Sequence, residues 1–233
     1  MKIVKVLYTV CFILSVTAVI VQLSSYIGLK KINVFKAASG IASETVFDNT
    51  RKVALTFDDG PHCVYTPMLL DELKKRNIRA TFFVTGENAE INNEIIKRMN
   101  EEGHLIGNHT YSHIQLTGSN RETFEQELVK TNKIISDITK KEVEYVRPPY
   151  GTWDKKLENK LNMFPVMWSI DPLDWCSQNT TCVVQAVINR VKGNDIILLH
   201  DCYKTTVEAA GIIADELTKQ GYTFVTVDEI LFD

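Results

Sequence analysis

KVALTFDDGP, residues 52–61, is the stretch on which the reading of the fold turns. Lys52–Phe57 forms a short, mostly apolar run, the pattern of a strand covered on both faces. Asp58-Asp59-Gly60-Pro61 then ends it with turn residues. Thr66-Pro67 supplies a helix start, with Thr66 as N-cap and Pro67 at the first helical position, ahead of Met68, Leu69, Leu70 and Leu73. The unit recurs along the chain. Further strands are expected at Ala80–Thr85, His104–Asn108, Val143–Arg147, Phe164–Ile170, Asp195–Leu199 and Thr223–Thr226. Helices are expected at Asn93–Glu102, closed by Gly103, and at Arg121–Thr139, Asp154–Leu161, Thr181–Val191 and Val207–Gln220. Phe124, Leu128, Ile134, Ile135 and Ile138 would form the inner side of the Arg121–Thr139 helix.

Alternating strands and helices imply an α/β fold with a parallel sheet and crossover helices. About seven units would close into a distorted (β/α) barrel. A doubly wound sheet is the alternative, but no glycine-rich first turn is present to hold a dinucleotide, so no nucleotide cofactor is expected. In such barrels chemistry sits at the C-terminal ends of the strands. The polar clusters fall there: Asp58-Asp59, Asn108-His109, Arg147, Asp171–Asp174 and His200-Asp201.

Composition is that of a globular chain: 233 residues, 45% hydrophobic and 24% charged. A net charge of −3 leaves no basic footprint for nucleic acid. The charge is uneven, since Lys2, Lys5, Lys30, Lys31 and Lys36 precede any acid. Val6–Leu29 carries no charge and is long enough, as a helix, to span a bilayer. We read residues 1–29 as a membrane anchor, with a cleaved signal peptide as the alternative. The apolar run exceeds an ordinary signal core, and no Ala-x-Ala site closely follows it. Residues 30–50 read as a tether and 51–233 as the folded body. Cys63, Cys176, Cys182 and Cys202 could pair or stay reduced, and no Cys-x-x-Cys marks a cysteine-based zinc site.

His109 and His113, in HTYSH, are four residues apart. On one helical turn both would face the same cation, although the spacing also suits a solvated helix face. Asp59 could add a carboxylate. Two histidines and one carboxylate leave positions open for water and substrate, which marks a catalytic rather than a structural site. One divalent ion is expected, Zn²⁺ first, with Co²⁺, Mn²⁺ and Fe²⁺ also suited. Asp58 and Asp59 invite different tasks, one binding metal and the other acting as base. Trp168 reads as core, His62 as a surface residue and His104 as structural.

Taken together, TFDDGP (Thr56–Pro61), HTYSH (His109–His113), RPPYG (Arg147–Gly151), DPLDW (Asp171–Trp175) and LLH (Leu198–His200) resemble the motifs of the NodB-homology polysaccharide deacetylases, carbohydrate esterase family 4. The resemblance is greatest to membrane-anchored bacterial peptidoglycan N-acetylglucosamine deacetylases. It implies a metal triad of Asp59, His109 and His113. It further implies that Asp58 is a base oriented by Arg147, and that His200 is an acid with Asp174 as charge partner. Tyr150 would offer a backbone N–H to the oxyanion, and Trp175 and Leu198 would wall the acetyl pocket. The expected substrate is cell-wall glycan reached by a single-pass, extracytoplasmic monomer. The alternatives are another acetylated polysaccharide, such as chitooligosaccharide or acetylxylan, and a catalytically silent wall-binding module.

Overall fold

A computed structural model describes residues 51–232. The expected anchor and tether lie outside these residues, and among the described residues no helix is long and apolar enough to cross a membrane. The central strand β1 (Arg51–Asp58) is buried from Val53 onward. Its side chains alternate: Val53, Leu55 and Phe57 enter the main apolar core, while Ala54 packs in a smaller cluster on the other face. Thr56 and Asp58 fall in the same column as Ala54. Truncating a fully buried ring such as Phe57 to Ala would cost about 3–5 kcal/mol.

After β1 come α1 (Tyr65–Lys75), β2 (Thr81–Val84), α2 (Gly86–Ile91), α3 (Asn93–Glu101), β3 (Leu105–Asn108), α4 (Arg121–Thr139) and β4 (Tyr145–Val146). Then follow α5 (Lys155–Leu161), β5 (Phe164–Pro165), α6 (Asp174–Ser177), α7 (Thr180–Ile188), β6 (Asp195–His200), α8 (Lys204–Lys219), β7 (Tyr222–Phe224) and α9 (Asp228–Leu231). The strands form one parallel sheet in the order β5-β4-β3-β2-β1-β6, and β7 pairs with the start of β1. The sheet curves into a half-barrel. The chain after β5 bridges its open side, with Val166 N–H donating to Val146 O at one end and Ile170 N–H to Ile196 O at the other. Only Phe164 and Pro165 of the expected Phe164–Ile170 strand are therefore regular. The rest turns from one neighbour to the other and cannot keep a single ladder. The register sets Asp58 directly beside His200 and Asp58 beside Phe83.

The buried stripe of α4 is Phe124, Leu128, Thr131, Ile135 and Thr139, with Ile134 and Ile138 only half-buried on its flank. Steps of three and four residues select that stripe. The start of α1 also differs from the sequence reading. Thr66 lies inside the helix, and Nδ1 of His62 accepts from the N–H groups of Val64 and Tyr65, both at 3.1 Å. An imidazole thus serves donors that a helix start leaves unpaired. The Thr66 hydroxyl instead donates to Asp201 Oδ2 at 2.5 Å, where a buried carboxylate needs it.

Candidate active site

Asp58 ends β1 pointing inward, 3% exposed. Simple strand alternation would send Asp59 outward. The backbone instead enters the left-handed region at Asp59 (φ 73°), which returns its carboxylate to the same cleft. Gly60 is required at the next position because a Cβ there would fall 2.2 Å from Asp201 Oδ2.

His109 and His113 do converge, but not on a helical turn. The HTYSH segment is a loop with positive φ at Thr110 (63°) and His113 (58°). Nε2 of each histidine lies 3.3 Å from Asp59 Oδ1. Donor atoms of the three residues all lie within 4.8 Å of one another. Asp59 Oδ1 is buried and accepts no hydrogen bond among the described residues. The Nδ1–H of His109 donates to Arg147 O at 2.6 Å, which leaves its Nε2 lone pair directed at Asp59. An orphaned carboxylate oxygen and a tautomer set for Nε2 ligation fit a divalent cation.

Beside these donors stand two charge pairs. Arg147 is fully buried, and its Nη1 donates to Asp58 Oδ1 at 2.8 Å and to Thr56 Oγ1 at 2.6 Å. Its Nε and Nη2 donate to Val166 O and Met167 O, and its guanidinium lies 4.2 Å from the Phe83 ring centroid. The guanidinium is therefore fixed on every side, and it fixes Asp58. In the second pair, Nδ1–H of His200 donates to Asp174 Oδ1 at 2.8 Å. Asp174 also accepts from Trp175 N–H, His200 N–H and Thr206 Oγ1, so its buried carboxylate is well satisfied. Burial alone would lower the pKa of His200. Asp174, with help from Asp58 and Asp59, outweighs this and lifts it to about 9. Asp171 is not the partner: its Oδ1 accepts from Leu173 N–H at 2.8 Å and shapes the turn.

These groups open onto one cleft of about 450 Å³. Tyr150, Trp175 and Leu198 line it as expected. Tyr150 is 66% exposed at φ 59°, its ring edge-on to His113. Trp168 also lines the cleft, contrary to its reading as core, because the irregular chain after β5 turns it inward over Gly151. Tyr203 lines it too and carried no sequence signal. Asp201 is a further omission, although its place directly after His200 was a usable signal. It is wholly buried, and burial pushes its carboxyl up to about 7. His104 is structural: its Nδ1 accepts from Ala80 N–H, and burial drives its pKa down to about 4. The four cysteines of the described residues are free thiols.

Comparison with known proteins places this arrangement. The family model for polysaccharide deacetylase matches residues 46–167. The peptidoglycan-N-acetylglucosamine deacetylase PgdA of Listeria monocytogenes is 38% identical over 180 residues, covering 77% of this chain and 39% of that protein. The chain thus spans about two fifths of the length of that relative. A peptidoglycan-N-acetylglucosamine deacetylase of Bacillus cereus is 37% identical over 201 residues, covering 83% of this chain and 94% of that one. Among solved structures, the peptidoglycan deacetylase PdaC from Bacillus subtilis superposes with a TM-score of 0.75 at 39% identity, covering 78% of this chain and 90% of that one. With its parallel half-barrel and its paired carboxylates and histidines at the strand ends, the chain belongs to the polysaccharide deacetylase family.

Proposed function

We propose that this protein is a metal-dependent hydrolase that removes N-acetyl groups from N-acetylglucosamine units of peptidoglycan and releases acetate. The observation that carries the reading is the convergence of the Asp59, His109 and His113 donors in the cleft that also holds Asp58 and His200. Relatives named for the same activity support it.

Asp59, His109 and His113 would hold the cation, Zn²⁺ as first candidate. When bound, it supplies a Lewis acid that polarises the amide carbonyl and lowers the pKa of water. Asp58 takes the proton of the attacking water, a contribution of about 10²–10⁴-fold for a positioned base. Arg147 keeps Asp58 ionised and in one rotamer. The backbone N–H of Tyr150 faces the developing oxyanion, where one such donor is worth roughly 3–4 kcal/mol. His200 is held protonated by Asp174 and hands its proton to the departing sugar nitrogen. The Nδ1 bond to Asp174 leaves Nε2 for that transfer. Trp175 and Leu198 exclude water around the acetyl methyl.

We further propose that residues 1–29 anchor the enzyme in the cell membrane with residues 51–233 outside. Support comes from the uncharged Val6–Leu29 span and from a substrate located in the wall. The test of function incubates the protein with purified peptidoglycan, chitooligosaccharide and acetylxylan, with and without chelator, and measures acetate. Chelator-sensitive release from peptidoglycan is expected. Release from acetylxylan alone, or release indifferent to chelation, would overturn the assignment.

A further inference from the structure

The loop between the two histidine ligands makes two left-handed excursions at non-glycine residues, Thr110 and His113. Such conformations persist only when the surroundings determine them. Most of the loop's backbone groups have identifiable partners. The carbonyls of Thr110 and Tyr111 accept from the free N–H groups of Gly86 and Glu87 at the start of α2, at 2.9 and 3.1 Å. Gly86 permits that approach, since a Cβ there would fall 2.4 Å from Thr131 Oγ1 and 2.5 Å from the Tyr111 ring. The N–H of Thr110 donates to Asn108 Oδ1 at 2.7 Å. The N–H groups of Tyr111 and Ser112 both donate to one atom, Glu127 Oε2, at 3.1 and 3.0 Å. The Ser112 hydroxyl donates to Glu127 Oε1 at 2.6 Å.

Glu127 belongs to α4, on the same helical row as Phe124 and Thr131, three and four residues away. Those two are fully buried and anchor the row against the loop. One turn on, the Lys130 ammonium sits 3.1 Å from the centroid of the Tyr111 ring, and the Tyr111 hydroxyl donates to Glu90 at 2.8 Å. The middle of the loop is thus clamped by α2 and α4, and a single carboxylate binds its two central amides.

We propose that Glu127 is a positioning residue for the metal site: it holds the loop so that His109 and His113 meet Asp59, and it thereby sets metal affinity. This rests on reading those three residues as the metal triad. Groups that orient ligands from outside the coordination sphere typically govern affinity by 10–100-fold. The geometry also separates the variants. In Glu127→Gln the amide oxygen still accepts from both backbone amides, and its NH₂ can donate to the Ser112 hydroxyl. Glu127→Asp keeps the charge but withdraws it by one methylene, and Glu127→Ala removes the acceptor.

The test titrates the metal-free full-length protein with Zn²⁺ against a chromophoric chelator, and with Co²⁺ followed by its visible absorption. Thermal unfolding of the metal-free forms is recorded alongside. Glu127→Ala and Glu127→Asp are expected to bind Zn²⁺ about 10–100-fold more weakly and to alter the Co²⁺ spectrum. Glu127→Gln should stay within about threefold of the parent, since it keeps both amide bonds. Should Glu127→Ala not fold, the Asp variant decides. Parental affinity and an unchanged Co²⁺ spectrum in the Ala or Asp variant would overturn the proposal. Failure of the unsubstituted protein to bind either metal would instead overturn the triad reading beneath it.

Discussion

Replacing Asp174 by Asn tests the part of the site where charge and geometry can be separated. The substitution preserves shape and leaves an oxygen able to accept from Nδ1–H of His200, but it removes the negative charge. An ordinary histidine titrates near 6.5, and His200 is raised to about 9. That difference corresponds to roughly 3 kcal/mol of preference for the imidazolium. Most of the upward pull comes from Asp174, against a burial effect that acts downward. Without the carboxylate charge, the burial effect is left opposed only by the Asp58 and Asp59 charges. A bound dication would lower the value in both forms and so leaves the direction of the difference intact.

The assay is acetate release from peptidoglycan as a function of pH, on metal-loaded protein. The alkaline limb of the rate profile is expected to move down by at least one pH unit in Asp174→Asn, with the greatest loss of activity above neutrality. Stability gives a second reading of the same linkage. Because the folded pKa is raised, the contribution of protonated His200 is complete below about pH 6.5 and disappears as pH rises through about 9. Thermal unfolding of the parent should show that loss across the window, and the variant should show less of it. An alkaline limb that stays in place in Asp174→Asn would refute the pairing as the source of the acid.

His109→Ala and His113→Ala should each yield folded protein, judged by circular dichroism, with greatly reduced metal content after dialysis and little acetate release. Full turnover in either after exhaustive chelation would exclude the metal mechanism. Gly60→Ala places a Cβ 2.2 Å from the Asp201 carboxylate and should lower the urea midpoint by an amount corresponding to about 1–3 kcal/mol. Adding Asp201→Ala should recover part of that loss, because the clash is with this one side chain. A reporter fused after Asp233 should behave as extracytoplasmic, and the full-length protein should sediment with membranes.

Much of this molecule was legible in its residues. The order of strands and helices followed from apolar periodicity and turn residues, and the bounds of α4 came out as Arg121–Thr139. Local pattern suffices where an element is long or is covered on both faces. The chemical types at the strand ends also named the site, because few residue sets can hold a cation and also move protons. What the sequence could not supply was how these groups meet. A period of two points Asp58 and Asp59 apart, and a period of 3.6 stacks His109 on His113. Both expectations fail locally, and the site forms because Asp59, Thr110 and His113 adopt left-handed backbone that only tertiary hydrogen bonds hold in place. The β1–β6 register that sets Asp58 beside His200 joins residues far apart in the chain. The same is true of the inward turn of Trp168 and the support given to the histidine loop by Glu127. Residue type and spacing determine which groups are available. Close packing of the half-barrel decides which strained conformations are stable enough to bring them together.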